Sequence, residues 1–563
     1  MYPSFAQLAT PHRSRRNVAA AGAVLVAIAA GCGTAHDPAR DHTLVIALAA
    51  EPTLLLPPLI DETPGFVVAD QILERLADPD STLDIMHDTA FHPRLAAAWT
   101  WAADSMAIAF RLAPNARWHD GRRVTAHDVR FTFDVYADTT IASAAAPLLD
   151  NIDSVQVRDD STAVFWFHRR ARLQFFDATY HMRILPRHLL DSLPRRALRG
   201  SPFARAPTGT GPFRFSRWRA GQSVELAANE RYHGRRAQFD RLVFAIASDP
   251  SATLARALAG EVDVAPHIRA SDVARVSQSR RLRVRSWPSL SNGLVMLALH
   301  DAATPGDAHP LFGDSRVRRA LTLALDRARI TRGALGETAS PARGPLPAPL
   351  LHGAFPPLVL LAFDPRHAAA LLDSAGWYIT GPERIRHRGP RELRFTLLIP
   401  TAAVAARRAA ILAQEQLRSV GIAMDIDLAD PGTLAARLGE HRFDAVLLAL
   451  DWDPNPLSAR QLWGSSAVAH GANFSGYQSA VFDFAIEASA QARDAGATRT
   501  FAAQAWAQLV ADAPAIWLYD LRQIAAVRAS VHSTPGRPDA WWSSLADWSA
   551  KTDADSLRPT GVP

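Results

Sequence analysis

Apolar and polar positions change period along this chain. From Leu393 onward they alternate between two rhythms. Leu393–Ile399 is a short apolar run, and Val404–Val420 carries a helical period that stops at Gly421. Ile422, Met424, Ile426 and Leu428 then alternate with other residues, Thr433–Leu438 is a second helical stretch closed by Gly439, and Phe443–Leu450 is apolar again. Strand–helix–strand–helix–strand predicts a mostly parallel sheet with right-handed crossovers.

The first half is richer in strands. Thr43–Ala50 predicts a buried strand, and Met106, Ile108, Phe110 and Leu112 have the period of a half-buried one. Trp118–Gly121 follows as a turn. Thr125 and Asp128 then form a capping box that opens a helix through Val129 and Phe133. Thr208–Pro212 is a glycine-rich turn leading into a hairpin with Phe213, Phe215, Val224 and Leu226. Ser251–Ala259 predicts a helix stopped by Gly260, and Asp314–Asp326 a helix with Val317, Ala320, Leu321 and Ala324 on one face. The expected class is α/β with more than one lobe.

Composition narrows the function. Of 563 residues, 48% are hydrophobic and 21% charged, an ordinary globular balance. The net charge is +6, and residues 1–31 contain three arginines and no acid, so the chain beyond them carries +3. An excess this small and dispersed gives no reason to expect nucleic acid as a partner. Lys551 is the only lysine; the basic residues are otherwise arginine, which reads as a compositional habit of the source genome. Catalytic signatures are missing: there is no Gly-x-Ser-x-Gly elbow, no His-Glu-x-x-His and no phosphate loop, and Gly209-Thr210-Gly211 lacks the third glycine of a dinucleotide turn. No cofactor, metal site or catalytic residue is expected, and the reading is of a protein that is not an enzyme.

The amino-terminal stretch has chemistry of its own. Arg13, Arg15 and Arg16 precede an uncharged run, Val18–Gly31, that is short for a membrane span. Cys32, the only cysteine, follows at once. Ala29-Ala30-Gly31-Cys32 resembles a bacterial lipoprotein box, which implies cleavage of residues 1–31, acylation of Cys32, and a linker over 32–42. The expectation is a monomer held by lipid to the outer side of a membrane, on the periplasmic side of a cell envelope.

An ordered series of segments carries a wider likeness: Pro93–Phe133 with its Trp-His-Asp-Gly turn and Thr-Ala-His-Asp-Val helix, Gly209–Gly234, Ala257–Ala265, Asp314–Ile330, Phe363–Trp377 and Phe443–Pro456. In order and spacing these resemble the family 5 extracellular solute-binding proteins, the dipeptide, oligopeptide and nickel binders of ABC importers. The resemblance implies a two-lobe fold of the type II periplasmic-binding-protein kind with an additional domain in the N-terminal half. It places lobe I at 43–60, 201–288 and 531–550, the extra domain at 61–200, and the other lobe at 289–530. It implies an importer's binding subunit, most simply for di- or oligopeptides, with permease subunits as partners. Nickel chelates, haem, glutathione or opines remain open as ligands, and a lipid-anchored enzyme or a peptide sensor on the same fold are the alternatives from other classes.

For the site, the resemblance points to the stretch Asp451-Trp452-Asp453-Pro454, shorter than the family's usual Trp-x-x-Asp-x-x-Asp-Pro. Asp451 or Asp453 is expected to pair with a ligand's amino group, or Asp453 only shapes a turn before Pro454. Trp452 stacks on ligand or closes the core. Glu51, ending the first strand, is expected on the cleft wall, while Leu297–His300 lacks the asparagine common in the family near that strand's end.

Overall fold

The computed structural model describes residues 42–302, 304, 307–351, 358–492 and 494–550; the lipidation candidate Cys32 and the linker up to 41 lie outside them. The main elements, in chain order, are β1 (Thr43–Leu48), α1 (Thr63–Ile72), β2 (Ala96–Trp101), β3 (Ala107–Leu112), α2 (Ala126–Ala137), β4 (Ile152–Asp159), β5 (Thr162–Phe167), β6 (Phe213–Arg219), β7 (Ser223–Ala228), β8 (Arg241–Ile246), α3 (Pro250–Ala259), β9 (Val264–Pro266) and β10 (Leu282–Leu297). They continue with α4 (Ser315–Leu323), α5 (Arg327–Leu335), β11 (Arg394–Pro400), α6 (Val404–Ser419), β12 (Ala423–Ala429), α7 (Pro431–Gly439), β13 (Ala445–Asp451) and β14 (Ala515–Arg528).

Among the described residues the principal sheet has 11 strands, in the order β12–β11–β13–β10–β14–β9–β1–β8–β7–β6, with Ala339–Pro341 pairing beside β14. The sheet is parallel where the alternating pattern predicts it: β11 runs parallel to both β12 and β13. A second parallel patch joins β1 to β8 and β9. Between the patches lie β10 and β14, 16 and 14 residues long and antiparallel to each other, so the sheet as a whole is mixed rather than mostly parallel. Neither strand has the clean alternation of a surface strand, because both faces are covered: Trp517, Ala525 and Val527 of β14 pack on one side, and Ile516, Leu518, Ile524 and Ala526 on the other. The four antiparallel strands β2–β3–β5–β4 form a separate small sheet.

Local chemistry explains most element ends. Asp128 Oδ2 accepts from Thr125 N at 2.9 Å and opens α2. Gly260 and Gly421 close α3 and α6 in the left-handed region, at φ +83° and +84°. Two expectations shift. The helix expected over Asp314–Asp326 ends at Leu323, and Asp326 instead opens the next helix, α5, where its Oδ1 accepts from Arg329 N at 2.9 Å. Gly439 is the last residue of α7, and the left-handed position falls on His441 at φ +53°.

Gly209 and Gly211 have neither residue at positive φ; their requirement is space. A Cβ on Gly209 would sit 1.8 Å from the carbonyl oxygen of Ile72, and one on Gly211 2.6 Å from that of Gln71. The turn is laid directly on the end of α1, where Gly211 N donates to Ile72 O at 2.8 Å.

The region 61–200 is tied to the C-terminal segment by buried charge. Arg183 pairs with Asp70 at 2.8 Å, and Trp542 Nε1 donates to the other oxygen of Asp70 at 2.9 Å. Asp78 takes Arg94 at 2.9 Å and Arg537 at 3.7 Å. Burial alone would push Asp78 up, but the three guanidinium groups of Arg94, Arg537 and Arg75 hold it well below the usual carboxylate range.

Asp520 on β14 makes no such ion pair among the described residues, and the charge of Arg343 opposes its burial only in part. It is 3% exposed; one oxygen accepts from Ala348 N at 3.3 Å and the other has no partner among the described residues. Burial pushes its carboxyl up to about 7.

Two predictions follow from these contacts. Gly209→Ala should lower unfolding stability by ~3 kcal/mol or more, because the backbone of Ile72 cannot yield. Gly200→Ala, which meets open space, should change it by less than ~0.5 kcal/mol. Chemical denaturation of both variants checks the contrast. For Asp520, the folded state keeps a proton that the unfolded state has already lost between pH ~4 and ~7, so wild-type stability falls as pH rises through that window. Asp520→Asn should remove this fall. It should exceed wild type by up to ~4 kcal/mol at pH 8 and by little at pH 4, read from denaturation midpoints across pH.

Candidate functional site

A cavity of about 540 Å³ lies where β1 and β9 end beside β10 and β14. Strand ends of a sheet leave room and unpaired backbone together, which is why ligands of open α/β sheets sit there. Here the wall is opened further by a break in strand pairing. The register of β10 against β14 shifts between Pro288 and Asn292, so Ser289, Leu290 and Ser291 leave the β14 ladder and line the cavity.

The bulge also positions the Asp451-Trp452 stretch. Asp451 pairs in register with Ser291, and Trp452 N donates to Leu290 O at 2.8 Å. Trp452 forms part of the cavity wall and is 7% exposed. Its indole is fixed from behind: Nε1 donates to Asn292 Oδ1 at 3.0 Å, and the fully buried Asn292 donates in turn to Pro345 O at 3.3 Å. Trp452 therefore both seals the core and presents a rigid aromatic surface. Asp451 also lines the cavity, and its carboxylate accepts from Ser291 Oγ.

Asp453 stands behind this wall and outside the cavity lining. Its Oδ1 accepts from Asn455 N at 2.7 Å, the local turn that a residue before proline makes. Burial, with Asp539 nearby, pushes its carboxyl up to about 6. Across from it, burial and the charge of Asp453 hold Asp177 well above the carboxylate range. Glu51 is placed elsewhere. Its oxygens accept from Trp218 Nε1 at 2.7 Å and Gly221 N at 2.9 Å, which clamps the β6–β7 hairpin to the end of β1. It does not line the cavity.

Several wall residues carry no warning in the sequence. His267, just past β9, adopts φ +58°, a conformation that costs a non-glycine residue roughly 1–3 kcal/mol. Trp541 and Trp542 meet edge-on, with ring centroids 6.0 Å apart, beside Asp539. Asp539 is neutralised by Arg537 at 3.0 Å and receives the Tyr180 hydroxyl at 2.7 Å. Arg522 on β14 supplies the guanidinium on the wall. None of these residues sits in a periodic pattern that marks it.

The arrangement can enclose a small molecule against aromatic and apolar surface, with a few polar groups to orient it. Among the described residues no three His, Cys, Asp or Glu side chains converge in a way that could hold a metal ion, and no helix is long and apolar enough to cross a membrane.

Comparison with known proteins agrees with this architecture. Residues 90–470 match the bacterial extracellular solute-binding proteins, family 5 Middle. A Brucella ovis protein assigned as an ABC transporter peptide-binding protein is 33% identical over 285 residues, 50% of this chain and 51% of that protein, so this alignment spans about half the relative's length. The oligopeptide-binding protein AppA of Bacillus subtilis is 24% identical over 494 residues, 86% of this chain and 87% of that protein. Its structure with a nonapeptide superposes with a TM-score of 0.70 over 91% of this chain and 99% of that one, at 22% identity. NikZ from Campylobacter jejuni, in complex with Ni(L-His), superposes with a TM-score of 0.71 over 90% of this chain and 99% of that one, at 21% identity. The α/β class expected from the residues and the type II periplasmic-binding fold implied by the resemblance hold. The family consists of solute-binding proteins and not enzymes. The match over 90–470, with the shared fold around it, makes this chain a member of the bacterial extracellular solute-binding proteins of family 5.

Proposed function

We propose that this protein is the lipid-anchored binding subunit of an ABC importer, taking short peptides into the cavity between its two lobes and delivering them to permease subunits. The observation that carries the reading is the wall at β10 and β13. There a fixed indole, Trp452, stands beside an acid, Asp451, whose partner in the structure is a hydroxyl and not a cation. A peptide's amino group, once removed from water, needs an anionic partner, and Asp451, or Asp453 behind it, supplies one. The names of the Brucella and Bacillus relatives support the peptide assignment.

In this reading the lobes are 43–60 with 201–288 and 531–550, and 289–530, with 61–200 as the added domain. Strand β10 crosses from one lobe into the other and is paired along most of its length with β14, which makes the pair the hinge. Glu51 serves as a clamp on lobe I rather than as a ligand contact. Cys32 carries the acyl chains and residues 33–42 the tether, on the periplasmic side of the envelope.

Four outcomes are expected. N-acetylation of a bound peptide should cost on the order of 2–5 kcal/mol in the wild type and much less in whichever of Asp451→Asn and Asp453→Asn removes the partner, by calorimetry. Wild-type binding by both variants for free-amino peptides would overturn the assignment. If Asp453 is the partner, affinity should rise with pH through about 6, as its carboxylate ionises, and this rise should vanish in Asp453→Asn. Small-angle scattering should show a smaller radius of gyration with bound peptide than without. For the anchor, Cys32→Ser should move the protein out of the membrane fraction and remove the acyl mass.

A further inference from the structure

The basic excess of the chain is small in total but is not spread evenly over the fold. Residues 195–241 hold eleven arginines against three acids, a net charge of +8. The chain beyond residue 31 carries +3 in all, so the remainder carries −5. Ten of the eleven arginines are exposed. Five of them pair with four carboxylates, Asp138, Glu51, Glu225 and Asp240. The other six, Arg196, Arg199, Arg214, Arg217, Arg231 and Arg235, make no ion pair among the described residues.

Strand register gathers the centre of this charge on one face of the sheet. Thr43 of β1, Arg241 of β8, Ala227 of β7 and Arg214 of β6 stand in one row across four strands. Residues opposed in a row point to the same side. Two positions along β7, Glu225 faces Arg217, and two further on, Ser223 faces Arg219. Four arginines therefore share one face around a single carboxylate. Glu225 is 7% exposed and pairs with Arg241 at 2.7 Å and with Arg219 at 3.4 Å. The opposite face is core: Leu44, Phe213, Val224, Leu226, Leu242 and Phe244 are fully buried. Arg231 and Arg235, on the connection from β7 to β8, carry the charge beyond the strands. Guarding an open edge against strand pairing accounts for the arginines of β6, the last strand of the sheet. It does not account for Arg241, two strands in, or for the connection.

We infer that this face of lobe I docks on anionic phospholipid headgroups and so sets the orientation of the protein on its membrane. Guanidinium groups spread over a sheet face, rather than gathered in a pocket, suit a surface of many phosphates. The chain also enters the sheet in the same row. Thr43 is three strand steps from Arg214, about 14 Å. The ten residues of the proposed tether, 33–42, reach at most ~36 Å, so the membrane stays close to the face. The inference rests on the anchor reading above and adds to it a lipid class and an orientation. Docked through lobe I, the protein leaves the lobe at 289–530 free to move.

The test uses the full chain and two kinds of vesicle, phosphatidylcholine alone and phosphatidylcholine with about a third of phosphatidylglycerol. Wild type on each is treated with an arginine-selective dicarbonyl reagent and read by peptide mass spectrometry. Arg214 and Arg217 should react about fivefold more slowly on the anionic vesicles, and the exposed Arg407 and Arg408 of α6 at the same rate on both. Salt at about 1 M, which shortens the Debye length to ~3 Å, should abolish the difference. Flotation of the Cys32→Ser chain measures the face without acyl chains. In that background Arg214→Glu/Arg217→Glu/Arg235→Glu should weaken binding to anionic vesicles at least about tenfold, because each arginine at such a surface contributes roughly fivefold. Arg366→Glu/Arg407→Glu/Arg408→Glu, on the other lobe, removes the same charge and should weaken it less than about threefold. Equal modification of Arg214 and Arg217 on both vesicles, or equal losses in the two triple variants, overturns the inference and leaves the anchor reading standing. Wild type without acyl mass overturns the anchor reading, and the flotation contrast then decides the docking face by itself. If the first triple variant does not fold, the modification rates in the wild type decide alone.

Discussion

The pairing of β10 with β14 is the constraint on which the rest of the molecule depends. From Leu282↔Arg528 to Met296↔Ala515, these strands zip together most of their length and carry the sheet from one parallel patch to the other. Each end packs in a different environment. Ile524 and Ala526 sit with Ala47, Leu254 and Val276 near β1, whereas Ile516 and Leu518 sit with Val295, Leu397 and Leu447 near β11 and β13. Two strands shared by two packed regions meet the mechanical requirement of the hinge proposed above. The middle is also where the ladder breaks, at Ser289–Ser291. The same irregularity that interrupts the sheet creates the cavity wall.

Charge is handled differently at the two sides of that wall. The contact between the 61–200 region and the C-terminal segment is a closed network of arginines and aspartates, in which each carboxylate meets a guanidinium. Breaking one partner there would strand a buried charge. At the cavity, Asp451 and Arg522 keep hydroxyl partners only. A closed network of this kind holds the scaffold together. Asp520, unpaired in the interior of β14, belongs to neither group, and the energy of its burial appears as a dependence of stability on pH.

Much of this was legible along the chain because local rules decide local structure. The alternation from Leu393 to Leu450 specified three parallel strands and two helices, since period and capping residues act within a few positions. Asp128 capping α2 and Gly260 ending α3 are of the same kind. Asp451 and Trp452 reached the cavity by likeness of a motif. Asp453 was named with them but stands one layer back. Glu51, at a strand end that points toward the cavity, turned its carboxylate onto Trp218 and Gly221 instead.

The amino-acid sequence by itself determined the elements, their caps, the α/β class and the family. Tertiary structure alone decided the site. His267, Arg522, Trp541 and Trp542 come from distant parts of the chain and meet because β9, β14 and the C-terminal segment converge on the β10 bulge. No periodicity links residues whose neighbourhood is set by strand order. Nor does a sequence say which arginine is neutralised, since that depends on whether a carboxylate stands within a few ångströms after folding. Gly209 makes the same point: its glycine is demanded by the carbonyl of Ile72, 137 positions earlier in the chain, and by nothing in its own backbone angles.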